Sequence, residues 1–122
     1  MTESQEDYLE SIYHLTRSTG VARVKDISEA MQVKKPSVIN ALKELSKREL
    51  IIQERYGYIQ LTKIGQETAL QIVKKHEMLK SFLINILGVN EKTAEKDACR
   101  IEHILEDETI NKINLYLQTH KN

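Results

Sequence analysis

The chain has little of what breaks, staples or anchors a polypeptide. One proline and four glycines in 122 residues leave few sites for tight turns, so long helices are expected. A single cysteine, Cys99, excludes an intrachain disulfide and suits a reducing compartment. Tryptophan is absent and aromatics make up 5%, which offers little material for an aromatic ligand pocket. No apolar run approaches the roughly 20 residues of a membrane helix. The longest, Phe82 to Val89, is interrupted by Asn85 and Gly88. The opening MTESQED is acidic and polar, unlike a secretion signal. A cytoplasmic chain with no membrane partner is therefore expected. Its length suits one domain, or two small modules sharing a core.

Net charge is also missing, because 18 Lys+Arg balance 18 Asp+Glu. The balance is uneven along the chain. Arg23 to Arg48 holds seven basic residues against three acidic ones, and Glu91 to Glu108 holds seven acidic against three basic. One region could face phosphate while another gathers cations. An ordinary solvated face has the same look, so charge alone decides nothing.

What the chain does have is helical periodicity. Residues 3–17 place Leu9, Ile12 and Leu15 or Thr16 on one face, and Ser18-Thr19-Gly20 ends the helix. A short helix over 25–32 turns Ile27, Ala30 and Met31 inward. Pro36 suits the first turn of a helix over 36–48, where its missing N–H costs nothing. That helix buries Val38, Leu42 and Leu45. Two apolar-rich segments, Leu50–Gln53 and Tyr58–Leu61, flank Glu54-Arg55-Tyr56-Gly57 and read as a hairpin. Thr62 caps a long helix that runs to Leu87, with Ile72, Val73, Leu79, Leu83 and Ile86 as its stripe. Gly88 ends it, Asn90 caps a helix over 91–106, and a last helix covers 108–118.

Three helices followed by a hairpin make a winged helix-turn-helix. An α-helix fits the DNA major groove, and polar side chains near its N-terminus reach base edges. Lys34, Lys35, Pro36, Ser37 and Asn40 stand at that end, with Lys43 on the flank. Asn can pair bidentately with adenine, while Lys contacts phosphate or guanine. Arg55 and Tyr56 at the hairpin tip face the backbone or the minor groove. A compact helical domain with a lysine-rich surface helix would show the same pattern.

A second group of residues carries metal chemistry. Cys99, Glu102 and His103 are spaced i, i+3, i+4 and share a helix face. Asp7 and Glu10 share a face of the first helix, and His76 lies on the apolar stripe of the long one. Thiolate, imidazole and carboxylate together suit a divalent transition metal, whereas magnesium or calcium sites avoid sulfur and nitrogen. Each residue also has a structural reading. His76 would be a hydrogen-bonded core histidine, Asp7 and Glu10 helix-dipole partners, and Cys99 a small hydrophobe. Both readings stand on the residues alone.

The sequence is similar to the metal-dependent repressors of the diphtheria-toxin-repressor family, nearest the manganese transport regulators. The resemblance covers essentially the whole chain. It is carried by Glu6-Asp7-Tyr8-Leu9-Glu10-Ser11-Ile12-Tyr13, Ala22-Arg23-Val24-Lys25-Asp26-Ile27, Pro36-Ser37-Val38 and Leu61-Thr62-Lys63-Ile64-Gly65. Lys75-His76-Glu77-Met78-Leu79 and Cys99-Arg100-Ile101-Glu102-His103 complete it. The resemblance implies metal ligands at Asp7, Glu10, His76, Cys99, Glu102 and His103. The set is mixed: iron-type members tend to carry methionine at the position of Asp7, and position 99 is glutamate in some manganese regulators and cysteine in iron-type ones. Hard carboxylates favour Mn²⁺, and the softer Cys99 suits Fe²⁺, Co²⁺ or Zn²⁺. Glu95 and Lys80 fall where an iron-type ancillary site takes a histidine and an acid, which argues against that second site.

The expected fold is mainly α: a winged-helix DNA-binding domain over 1–70 with a two-stranded wing, then metal-binding and dimerisation helices over 71–122. Ending at Asn122, the chain fits the family's two-domain form. The implied protein is a homodimeric repressor activated by Mn²⁺, or next by Fe²⁺, with Co²⁺ or Zn²⁺ as substitutes in vitro. It would bind a palindromic double-stranded operator and take no small organic ligand. Three alternatives compete. One is a metal-independent winged-helix regulator responding to an organic ligand, and another is an iron-specific member of the same family. The third, a small metallohydrolase, fails on its signature, because His76-Glu77 is followed by Lys80 where a second histidine is required.

Overall fold

A computed structural model describes residues 1–120; positions 121–122, the end of the 71–122 region expected from the sequence, lie outside the described residues. Helix α1 spans Glu3–Thr19, and the chain starts it with a capping box. Thr2 Oγ1 accepts from the Gln5 N–H, and Gln5 Oε1 accepts from the Thr2 N–H, both at 3.1 Å. Gly20 ends it in the left-handed region at φ 88°, where a side chain would be strained. Helices α2 (Val24–Met31) and α3 (Lys35–Lys47) follow, with Pro36 in the first turn of α3. Strands β1 (Ile51–Gln53) and β2 (Ile59–Leu61) pair antiparallel, Ile52 opposite Gln60. Ile59 also pairs with Ala22, so β2 is held on both sides. Helix α4 runs Lys63–Ser81, followed by a π-helical segment over Phe82–Ile86, α5 (Glu91–Ile101) and α6 (Asp107–Thr119).

The chain divides into two units, Met1–Gln71 and Ile72–Asn122. In the first, α1, α2 and α3 pack on one another, α1 packs on β2 and α3 on β1. Leu9, Ile12, Ile27, Val38, Leu42, Leu45 and Ile59 form its fully buried centre. Gly65 is required at the start of α4, because a Cβ there would lie 1.9 Å from the Leu50 carbonyl oxygen. Thr62 ties the same junction. Its hydroxyl donates to the Glu49 carbonyl at 2.7 Å and accepts from the Gly65 N–H at 2.9 Å. In the second unit the π-helical segment packs on α5, and Leu79, Ala94 and Ala98 are fully buried.

The fold class is the one the periodicity gives: mainly helical, with a two-stranded wing after three helices. Three details differ. The long helix changes to π geometry at Phe82 rather than continuing to Leu87. Helix α5 stops at Ile101, and residues 102–105 form a turn, so the expected 91–106 helix is shorter. Ala30, expected inward, is exposed, because α2 has only two turns and Ile27 is its one buried residue.

Candidate metal centre and nucleic-acid interface

In the second unit, His76 enters from α4 between two carboxylates. Its Nε2 lies 2.9 Å from Glu95 Oε1 on α5, and its Nδ1 lies 3.2 Å from Glu102 Oε2 in the turn beyond α5. His103 Nε2 lies 3.4 Å from the other oxygen of Glu102. Glu102 is 1% exposed, which is exceptional for a carboxylate. Neither of its oxygens, nor Nδ1 of His76, makes a hydrogen bond among the described residues. A buried carboxylate without partners costs several kcal/mol unless positive charge offsets it. The Glu102 carboxylate, and after it Glu95, raises the His76 pKa to about 9 against the opposing effect of burial. A protonated His76 thus supplies countercharge in the metal-free protein.

This arrangement fits a divalent transition metal. Two carboxylate oxygens and an imidazole nitrogen, all buried and lacking hydrogen bonds, converge from two elements. They are borderline and hard donors of the kind that hold Mn²⁺ and Fe²⁺. Of the six ligand positions expected from the sequence, the structure gathers His76, Glu102 and His103 within this unit. Cys99 occupies an exposed position in the last turn of α5. Glu102 and His103 lie just past the helix rather than on it. The Glu102 N–H still bonds to the Ala98 carbonyl at 3.1 Å, so the helical turn continues that far. Asp7 and Glu10 are half-buried on α1 in the first unit, where Glu10 lies 3.7 Å from His14.

Beside His76, a ladder ties α4 to α5. Lys80 Nζ lies 3.1 Å from Glu95 Oε2 and 3.7 Å from Glu91 Oε1. Glu95 holds the Lys80 ammonium above its ordinary pKa. Burial raises the Glu95 carboxyl, but His76 and Lys80 outweigh it and hold the net value below the usual range. From the sequence, Glu95 and Lys80 stand out only as misfits to an ancillary metal site. Their spacing of one turn from Glu91 and His76 was readable, but their meeting across two helices was not.

In the first unit, α3 buries Val38, Ala41, Leu42 and Leu45 and leaves Lys34, Lys35, Pro36, Ser37, Asn40 and Lys43 exposed. Ile39 is also exposed on this helix, an apolar residue outside the expected DNA-contact set. It has the chemistry for contact with a thymine methyl. At the wing tip, Gly57 takes a φ of 82°, and its N–H closes the turn onto the Glu54 carbonyl at 3.0 Å. Arg55 and Tyr56 project there, Tyr56 81% exposed.

Residues 1–59 match the family model for the iron dependent repressor N-terminal DNA binding domain. Residues 62–122 match the iron dependent repressor metal binding and dimerisation domain. The HTH-type transcriptional regulator MntR of Bacillus subtilis (strain 168) is 40% identical over 117 residues, spanning 96% of this chain and 82% of its own length. An uncharacterised HTH-type transcriptional regulator of Methanocaldococcus jannaschii is 34% identical over 122 residues, 99% of this chain and 98% of its own. The solved structure of the manganese regulator SloR superposes with a TM-score of 0.84 at 30% identity, covering 99% of this chain and 56% of that one. IdeR of T. acidophilum gives 0.82 at 27%, covering 93% and 53%. The chain thus spans little more than half the length of these two solved relatives. The relatives are transcriptional regulators, not enzymes.

Proposed function

The chain belongs to the iron-dependent repressor family, and on that premise we propose that it is a metal-activated repressor controlling manganese or iron homeostasis genes. The observation that carries the reading is the buried Glu102 carboxylate, facing Nδ1 of His76 with no hydrogen bond on either oxygen. Residues 1–70 act as the DNA-binding domain, and 71–122 supply the metal-binding and dimerisation helices. Asp7 and Glu10 from α1 join His76, Cys99, Glu102 and His103 as ligands. Mn²⁺ is the first choice, supported by the carboxylates and by manganese regulators among the relatives. Fe²⁺ follows, with Co²⁺ and Zn²⁺ as substitutes in vitro.

When bound, the divalent ion supplies the positive charge that the clustered carboxylates lack. Asp7 and Glu10 repel the other acids when no cation is shared, and the DNA-binding domain samples many orientations. Held in one ligand set, the same acids select a single orientation. Lys34, Lys35, Ser37 and Asn40 of two protomers then enter successive major grooves, about 34 Å apart on a palindromic operator. Lys43, Arg55 and Tyr56 track the phosphates and the neighbouring groove. Linkage requires operator DNA to tighten metal binding by the factor with which metal tightens DNA binding. As a DNA-binding regulator, the chain is placed in the cytoplasm, where its operator lies.

The test is Glu102→Ala and His103→Ala, each measured for metal-stimulated operator binding and for dimer mass. Both variants are expected to remain folded dimers and to lose the metal response. Wild-type stimulation in both would refute the proposal.

A further inference from the structure

The ligand set proposed above leaves Glu95 and Lys80 without a role, although they touch it. A neutral imidazole carries one N–H and one lone pair, and its partners decide which nitrogen has which. Around His76 the partners differ. Nε2 makes its hydrogen bond to Glu95 Oε1 at 2.9 Å, whereas Nδ1 is buried and makes none. A carboxylate can only accept, so Nε2 is the nitrogen that keeps its proton. Nδ1 faces Glu102 Oε2, 3.2 Å away, so it carries the second proton in the metal-free protein and offers its lone pair only when an ion replaces that proton. Two lone pairs at that distance repel unless a cation or a proton lies between them.

Glu95 has no burial to fix it, since its side chain is 53% exposed. Its second oxygen is held instead, by Lys80 Nζ at 3.1 Å, while Lys80 reaches Glu91 at 3.7 Å. His76 and Lys80 lie one turn apart on α4, and Glu91 and Glu95 lie one turn apart on α5. The four side chains therefore form a short relay that ends on the imidazole. We infer that Glu95, braced by Lys80, is a positioning residue for the metal ligand His76: it keeps the proton on Nε2 and presents Nδ1 to the ion. A carboxylate behind a ligating histidine orients the ring and strengthens the donor, and losing such a partner costs about 10- to 100-fold in metal affinity. This role rests on the metal-repressor reading.

The experiment combines Mn²⁺ affinity, by competition with a chelating dye, and ¹H–¹⁵N spectra of the His76 ring in Zn²⁺-loaded protein. Glu95→Gln is expected to bind Mn²⁺ about 10- to 100-fold more weakly than wild type, because an amide can donate as well as accept. Glu95→Asp should recover part of the loss. The wild-type spectrum should show protonated Nε2 and a metal-bound Nδ1. Lys80→Met should weaken binding by about two- to fivefold, as an exposed ion pair warrants, and decides the matter if Glu95→Gln does not fold. Wild-type affinity in Glu95→Gln, in Lys80→Met if it must serve instead, or a spectrum with Nε2 on the metal, overturns the positioning role and leaves the metal site standing. A wild-type protein that binds neither ion, or a Glu102→Gln variant that binds like wild type, overturns the metal reading and this inference with it.

Discussion

At the scale of single residues, the chemistry concentrates in a few side chains whose surroundings are costly without a partner. Glu102 is one, and its loss should be visible in stability as well as in DNA binding. Mn²⁺ is expected to raise the melting temperature of the wild type, because a ligand that binds only the folded state stabilises it. Glu102→Ala should abolish that rise; an unchanged rise would show that the ion binds elsewhere. On α3, Asn40→Ala should cost about 1–3 kcal/mol of specific operator binding and leave non-specific binding nearly intact. Lys43→Ala should weaken both together and lower the slope of log affinity against log salt by about 0.9. Competition binding at several salt concentrations separates the two. The exposure of Asn40 and Lys43 was legible in the sequence, because the spacing of Val38, Leu42 and Leu45 leaves the opposite face of α3 to solvent. Glu95 and Lys80 were legible only as misfits to an ancillary metal site. Their role depends on which side chain of a second helix lies opposite, and one sequence does not carry that pairing.

At the scale of elements, the junction between wing and α4 is closely packed. The Gly65 position cannot accept a Cβ, which would meet the Leu50 backbone carbonyl at 1.9 Å. That carbonyl is itself fixed by the Thr62 N–H at 3.1 Å, so the chain has no simple way to yield. Gly65→Ala is expected to destabilise the protein by more than about 1 kcal/mol, in the range of overpacking. Chemical denaturation measures it, and wild-type stability would contradict the packing described. The cap at Asn90, whose side chain accepts from the Thr93 N–H, was legible because the residue type and the following helical pattern agree. Two element ends were not legible. Over the five residues Phe82–Ile86, α and π spacing present nearly the same stripe, so the change of geometry leaves no mark. At Ile101 no glycine or proline announces the stop, and the pattern of Ile101 and Leu105 continues as if the helix did. The consequence reaches the site, since Glu102 and His103 stand in a turn rather than on a rigid helix.

At the scale of the whole molecule, a neutral chain can bind DNA because its charge is segregated. The seven basic residues from Arg23 to Arg48 lie in the winged-helix unit, and the acids from Glu91 to Glu108 lie in the other. The proposed switch links the two, with an ion required before the basic residues can be used on DNA. The most direct test is fluorescence anisotropy of the protein on DNA from its own promoter, titrated anaerobically with Mn²⁺ at fixed salt and then with EDTA. The account predicts specific binding that appears with Mn²⁺ and disappears with EDTA. Specific binding of equal strength with and without the ion would contradict it.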